Sequence, residues 1–292
     1  VQQLVNTALG GLTLGMVYAA FALALVLIWR STRVVNFAQA PMAMVTTLLA
    51  LELIEGGASF WLAFAVALVS GLVLGAVIER VVVRPVEGKS EINAVILTLG
   101  LFIVLHAAAA LLFGNGVRSF PAPFGVRGTE IGGTTYAITG FGMFTIVAVL
   151  VTMVLLVLLF RFTDLGLRMR AAAHEPEVAR LLGVRVGGML TLGWALASVV
   201  GSLSGILIAG GDLVNPNYMD SVVVFGFVAA VLGGLDSPLG AVVGGLLLGV
   251  ALSFVSGYVG SQLVALTALM ILIAVLTLRP GGLFSTTPAR RV

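Results

Sequence analysis

Long apolar stretches alternate with short polar connections along almost the whole chain. Nine stretches stand out: Leu4–Trp29, Ala38–Leu53, Phe60–Ile78, Ile92–Phe113, Tyr136–Phe160, Val186–Ala209, Val222–Leu235, Ala241–Ser256 and Leu263–Leu278. A helix that crosses a bilayer needs about 20 apolar residues at ~1.5 Å each. The pattern predicts an all-α polytopic membrane protein with about eight to nine transmembrane helices. The second, seventh, eighth and ninth stretches are short, and such pieces read as re-entrant or broken helices. The first run lacks a basic leader and exceeds a signal-peptide core, so it reads as a retained span. Residues 1–292 form one transmembrane domain on this reading, with a long polar loop at 161–185.

Charge orients the map. If all nine stretches cross and the N-terminus lies outside, the cytoplasmic loops hold Arg30, Arg33, Arg80, Arg84, Lys89, Arg161, Arg168, Arg170, Arg180, Arg185, Arg279, Arg290 and Arg291. Of the 15 basic residues, Arg118 and Arg127 alone fall outside, as the positive-inside rule requires. Glu52, Glu55, Glu130, Asp212 and Asp220 sit in the external loops. An odd number of crossings keeps the C-terminus cytoplasmic; an eight-span variant stays open if Val222–Leu235 does not cross.

Composition narrows the class. Of 292 residues, 60% are hydrophobic and 9% charged, against roughly a quarter charged in soluble domains. A soluble fold cannot hide that much apolar surface, and a disordered chain would not carry it. The formal charge of +3 does not indicate nucleic acid, because the basic residues sit in short loops between spans. With no cysteine there is no disulfide or thiolate chemistry, and two distant histidines do not suggest a transition-metal site.

Several motif fragments lead nowhere. Gly88-Lys89-Ser90 resembles the end of a P-loop, but Val83 stands where the pattern needs glycine. Gly201-Ser-Leu-Ser-Gly205 has Leu203 in place of a nucleophilic serine. Neither paired carboxylates nor a Ser/His/Asp set occurs in the spans, so no enzyme chemistry is expected. Glycines four apart (Gly11 and Gly15, Gly71 and Gly75, Gly201 and Gly205, Gly245 and Gly249) predict close helix packing. His106 is the ionisable residue well inside a span. It reads as a buried neutral histidine bonded to a neighbouring helix, with no acidic partner in the spans to make a proton relay.

Three stretches carry more. In 161–185, Pro176 suits a first helical position, Glu175 and Glu177 suit a helix N-terminus, and Gly183 suits a left-handed C-cap. A two-turn helix is predicted over Pro176–Leu182, with Ala179 on its small face and Val178, Leu181 and Leu182 apolar. It is read either as a helix on the headgroups or as a knob for a cytosolic partner. In Ser31–Met44, Asn36 is expected to cap a helix that Pro41 then perturbs, aiming backbone dipoles at a solute; a simple helix entry is the alternative. In Gly233–Gly245, Asp236-Ser237-Pro238 forms a tight turn between glycine-rich pieces, either a pathway element or a plain hairpin.

In order and spacing, the chain resembles the shorter permease of Liv-type branched-chain amino acid ABC importers. VNTALGGLTLGMVYAAFALALVLIW looks like that family's first span. VVNFAQAPMAM looks like its Asn-Phe-Ala motif, and ERVVVRPVEGKSEINAVILTLGLFIVL like its Arg-Pro loop and fourth span. Arg170–Gly183 is similar to its ATPase-contacting loop, and GGLDSPLGAVVGG and RPGGLF to its closing signatures. Gln39-Ala40-Pro41 departs from the histidine and glycine that commonly follow Asn-Phe-Ala.

The resemblance implies half of a pore in a bacterial or archaeal cytoplasmic (inner) membrane, paired with a second homologous permease. Two cytosolic ATPases would bind ATP and Mg, this chain holding no cofactor, and an extracytoplasmic binding protein would deliver solute. It implies ATPase coupling through Arg170, Glu175, Pro176, Glu177, Ala179, Leu182 and Gly183. The translocation pathway is expected to be mostly apolar, with Asn36, Gln39, Pro41, Asn93, Thr98 and Ser202 along it. A permease for urea or short amides, or a stand-alone facilitator of small neutral solutes, is the rival reading.

Overall fold

A computed structural model describes residues 2–86, 91–131 and 133–284. Lys89, Arg290, Arg291 and the Gly88-Lys89-Ser90 fragment lie outside the described residues. Eleven α-helices occur among the described residues: α1 (Gln2–Thr32), α2 (Gln39–Glu55), α3 (Phe60–Ile78), α4 (Glu91–Phe113), α5 (Gly140–Phe162), α6 (Asp164–His174), α7 (Pro176–Leu181), α8 (Val186–Ala209), α9 (Asp220–Gly233), α10 (Pro238–Tyr258) and α11 (Val264–Leu278). Every predicted apolar stretch is helical over most of its length. Seven helices are long and apolar enough to cross a membrane, which makes this an all-α polytopic membrane protein. The short ones are α2, at 17 residues, and α9, at 14. The eighth and ninth stretches, expected to be short, reach full length: Ser237 caps α10 through Gly240 N–H at 3.0 Å, and a 3-10 turn at Ser261–Leu263 extends α11.

Burial sorts the helices into layers. α1 is apolar on every side and enclosed on every side from Met16 to Ile28, as such a helix must be. α8 lies beside it, and α2, α9 and α10 complete the interior. α3, α4, α5 and α11 form an outer layer whose large apolar side chains face outward, Ile103 and Leu111 among them. Small residues permit the inner contacts. Gly11 and Gly15 on α1 meet Gly245 and Gly249 on α10; a Cβ at Gly249 would lie 2.2 Å from Gly15 Cα. Gly71 and Gly75 let α3 rest on Ser202 and Ser198 of α8.

The helices alternate in direction, so the bundle has a basic end and a far end. α1 begins at the far end, where Asn6 accepts a hydrogen bond from Ala137 N–H at 2.9 Å. α11 finishes at the basic end. There the chain turns back, and the N–H groups of Leu283 and Phe284 bond the carbonyls of Leu232 (2.9 Å) and Gly233 (3.2 Å). The last carbonyls of a helix have no partner within it; residues 279–284 supply one for α9. Arg33 ends α1 in a left-handed conformation (φ 57°) that costs a non-glycine residue roughly 1–2 kcal/mol. Its ion pair with Asp236 ties the α1–α2 loop to the α9–α10 turn. Gly233, Gly240 and Gly244 bring α9 and α10 into backbone contact, so Gly233–Gly245 is a tight helical hairpin.

The structure also differs from expectation in its connections. Short strands occupy the far end: β1 (Arg118–Ser119), β2 (Gly128–Ile131), β3 (Thr134–Thr139) and β4 (Leu213–Val214), paired β1 with β4 and β2 with β3. Tyr136–Thr139 is therefore strand, and α5 starts at Gly140, capped by Thr139 through Gly142 N–H at 2.8 Å. The 161–185 loop contains a second helix, α6, too polar to read as a span. Pro41 does not perturb α2, because as its third residue it needs no N–H.

Candidate functional site

At the basic end, α6 and α7 form a compact unit under α8. Thr163 caps α6 through Gly166 N–H at 3.1 Å. A Cβ at Gly166 would lie 2.3 Å from the Leu159 carbonyl, so glycine is needed for the turn out of α5. Pro176 opens α7, and Gly183 closes it with φ 82°. Leu182 is the C-cap, so the helix stops one residue earlier than predicted. Ala179 is not on the outer surface. It is 2% exposed and packs with Ala172, Val186 and Leu190, while its carbonyl accepts from Val184 N–H at 2.9 Å. Leu181 (88%) and Leu182 (77%) project outward instead, and Glu175, Pro176 and Glu177 are exposed beside them. Arg170 stands apart from this surface: it lies on α6 and shares a cavity wall with Arg30.

The Asn36–Gln39 region sits inside the bundle. Asn36 does not cap α2; Ala38 is the N-cap, and Asn36 Oδ1 accepts from Ala38 N–H at 3.0 Å. Asn36 Nδ2 donates to Gln39 Oε1 (3.1 Å), and Gln39 Nε2 donates to the Ala197 carbonyl (3.2 Å), halfway along α8. Gly201 gives Gln39 its room, since a Cβ there would lie 2.0 Å from Nε2. Asn36 and Gln39 are both fully enclosed. Thr46 donates to Ser202 Oγ at 2.8 Å, again between α2 and α8. Buried amides and hydroxyls that are all satisfied fix one packing of two helices. Thr98 is buried on α4 and bonds the Val95 carbonyl at 3.0 Å, whereas Asn93 is exposed on α4. Asn36, Gln39 and Ser202 are thus gathered at the α2–α8 contact, Pro41 is buried in the first turn of α2, and Asn93 is exposed on α4.

An open groove adjoins that contact. It measures about 560 Å³ between α2 and α3, and its lining is apolar (Val45, Leu49, Val66, Val69, Val73) apart from Thr46 and Ser70.

Two further groups escaped the sequence reading. A π-turn at Glu79–Val83 continues α3. It swings Arg84 onto the face of Glu79, which an α-helix would not do at a spacing of five. Arg84 grips Glu79 with both carboxylate oxygens (2.8 and 3.1 Å) and also bonds the Gly187 carbonyl (2.7 Å) and Thr191 (2.6 Å). Thr191 donates to Glu79 at 2.7 Å. Glu79 is 1% exposed, so this knot locks α3 to the first turns of α8. His106 has an acidic partner after all: its Nε2 is 3.1 Å from Asp220 Oδ1 at the start of α9, and Nδ1 is 3.0 Å from the Phe102 carbonyl.

The far end carries a different chemistry. Arg118 bonds Glu52 (2.6 Å) and Glu55 (3.0 Å). Burial works to lower its pKa, but the Glu52 hydrogen bond and the two carboxylate charges outweigh that and raise it. Tyr218 donates to the Gly205 carbonyl at 3.1 Å, and burial pushes its hydroxyl above the ordinary tyrosine range. Trp61, Phe64, Phe124 and Phe144 interlock edge to face, as aromatic side chains do at a membrane–water boundary.

Known proteins resemble the chain over its whole length. The chain is 27% identical to LivH of Escherichia coli K12, a high-affinity branched-chain amino acid transport system permease protein, with 100% of this chain and 97% of LivH covered. It is 29% identical to BraD of Pseudomonas aeruginosa, described in the same words, over the same shares of the two chains. The solved structure of PsaBC from Streptococcus pneumoniae in complex with Fab superposes with a TM-score of 0.50 at 17% identity, covering 96% of this chain and 93% of that one, a likeness of fold. Residues 7–278 match the family model described as branched-chain amino acid transport system / permease component, and the chain belongs to that family of transport permeases.

Proposed function

We propose that this chain is one half of the pore of an ATP-driven importer of branched-chain amino acids in the cytoplasmic membrane. A second permease supplies the other half, two cytosolic ATPases bind ATP and Mg, and an extracytoplasmic protein delivers the solute. The basic end faces the cytoplasm, in keeping with the placement of its arginines. The observation that carries the reading is α7: a short helix with Leu181 and Leu182 standing free on a polar surface. Two adjacent apolar side chains fit a groove on a partner.

The path of force is short. Leu181 and Leu182 engage an ATPase. Ala179 and the Val184 bond pass the displacement to α8. α8 carries Ala197, Gly201 and Ser202, which hold α2 through Gln39 and Thr46, and the Glu79–Arg84–Thr191 knot carries the same displacement to α3. Between α2 and α3 lies the apolar groove. Covered by the second permease, it suits an aliphatic side chain, while helix ends must meet the ammonium and carboxylate. ATP-driven closure shifts the two states because the ATPases bind them unequally.

Proteoliposomes containing the full complex test this. Leucine uptake should require ATP and the binding protein. Leu181→Arg should lower uptake at least 10-fold while the permease stays folded. Unchanged uptake and assembly in that variant would remove α7 from the mechanism, and uptake by this chain without ATPases would favour a facilitator.

A further inference from the structure

Two adjoining cavities at the basic end meet at a shared wall. The first, about 250 Å³, is cationic: Arg30, Arg33 and Arg170 line it, with His174 and Ser31. The second, about 340 Å³, is a trough walled by Leu23 and Leu27 of α1 and Met153, Leu156 and Val157 of α5. Arg30, Arg170, Leu27 and Phe160 belong to both. The carboxylate that Arg30 senses is Asp236, which is already bound to Arg33, and its other charged neighbours are Arg33 and Arg170. Among the described residues Arg30 makes no hydrogen bond or ion pair, and Arg170 makes one long bond, 3.4 Å to the Gly166 carbonyl. Arg30 is half-buried and without a partner at the edge of the apolar layer, where an unpaired charge is costly, and the exposed Arg170 stands beside it, so the pair offers a place for an anion from outside the chain.

The trough decides which anion. From Arg30 down to Leu23 is seven residues, about 10 Å of helix along the membrane depth. It opens outward past Val157 and Leu239, both exposed. A free phosphate has no use for it, and an acidic peptide would have to enter the apolar layer.

We propose that this site binds an anionic phospholipid, with its phosphodiester between Arg30 and Arg170 and an acyl chain in the Leu23–Leu27–Leu156–Val157 trough. The lipid would bridge α1, α5 and α6, wedged where the α6–α7 unit joins the bundle. The proposal needs only that the chain lies in a bilayer, and holds whichever solute it carries.

Native mass spectrometry of the full-length chain, delipidated in neutral detergent and titrated with dioleoylphosphatidylglycerol, tests it. Dioleoylphosphatidylcholine and glycerol 3-phosphate are run in parallel. Phosphatidylglycerol should bind and the other two should not. Arg30→Gln with Arg170→Gln should weaken binding roughly 25-fold, about five-fold for each guanidinium and their product for both. Val157→Trp, which fills the trough and leaves every charge in place, should weaken it at least 10-fold; it decides the matter if the arginine variant does not fold. Equal binding of phosphatidylcholine, or wild-type affinity in Val157→Trp, overturns the proposal. Equal binding of glycerol 3-phosphate overturns the lipid and leaves an anion pocket.

Discussion

At the scale of single residues, the absence of a side chain matters as much as its presence. Gly249 allows α1 and α10 to touch backbone to backbone, so Gly249→Ala must push two helices apart. The expected loss exceeds the ~1–3 kcal/mol of ordinary overpacking. Gly100, on the exposed face of α4, has nothing within 4 Å of an added Cβ, and Gly100→Ala should gain up to ~1 kcal/mol in helix propensity. Melting temperatures in detergent compare them; similar shifts would contradict the close crossing. Tyr218 makes a prediction in pH. Its pKa is raised in the folded state by burial, so the folded state holds its proton longer than the unfolded chain, whose tyrosine titrates near ~10. Stability from this group is full below ~pH 10 and declines above it. Tyr218→Phe should cost about 1 kcal/mol at pH 7 by losing the bond to Gly205, and its deficit should shrink as pH climbs past ~10. A constant deficit would mean that Tyr218 does not hold its proton. Glycine spacing was readable from the sequence because four-residue repeats put glycines on one helix face. The partner of His106 was not, because Asp220 lies 114 residues away and reaches it only through the packing of α9.

At the scale of elements, the spans were legible and the pieces between them were not. An apolar run declares a helix whatever it packs against. α6 is polar, and its helicity rests on Thr163, Gly166 and the burial of Met169 and Ala172, which a single loop sequence does not advertise. The strands at 128–139 owe their existence to pairing with each other. The Glu79–Arg84 pair was hidden for a geometric reason: five residues apart is the wrong face of an α-helix, and a π-turn corrects it. This knot should behave as a buried pair. Arg84→Ala should cost about 3–5 kcal/mol by stranding Glu79, which is buried. Arg84→Lys should remain clearly destabilised, because an ammonium cannot grip Glu79, Gly187 and Thr191 with one planar fork. Wild-type melting in Arg84→Lys would mean that charge alone suffices.

At the scale of the whole molecule, helix direction sorts charge, placing Arg118 and Arg127 at one end and the other described arginines at the opposite one. The lack of cysteine makes this easy to test with introduced thiols. In intact cells a membrane-impermeant maleimide should label Thr135→Cys, and should label Leu181→Cys only after permeabilisation. Labelling of both from outside would require an even number of crossings between them, against the alternation of α5 in the bundle. The bond between residues 283–284 and the end of α9 also orders events in time. Chains are made from the N-terminus at ~5–20 residues per second, so several seconds separate Gly233 from the roughly fifty-residue-later Phe284. During that interval α9 and α10 stand in the membrane with the carbonyls of Leu232 and Gly233 unfinished. A message truncated just before Leu283 would still encode all eleven described helices, and its product would be held in the state that the cell's quality control meets in passing during each normal synthesis.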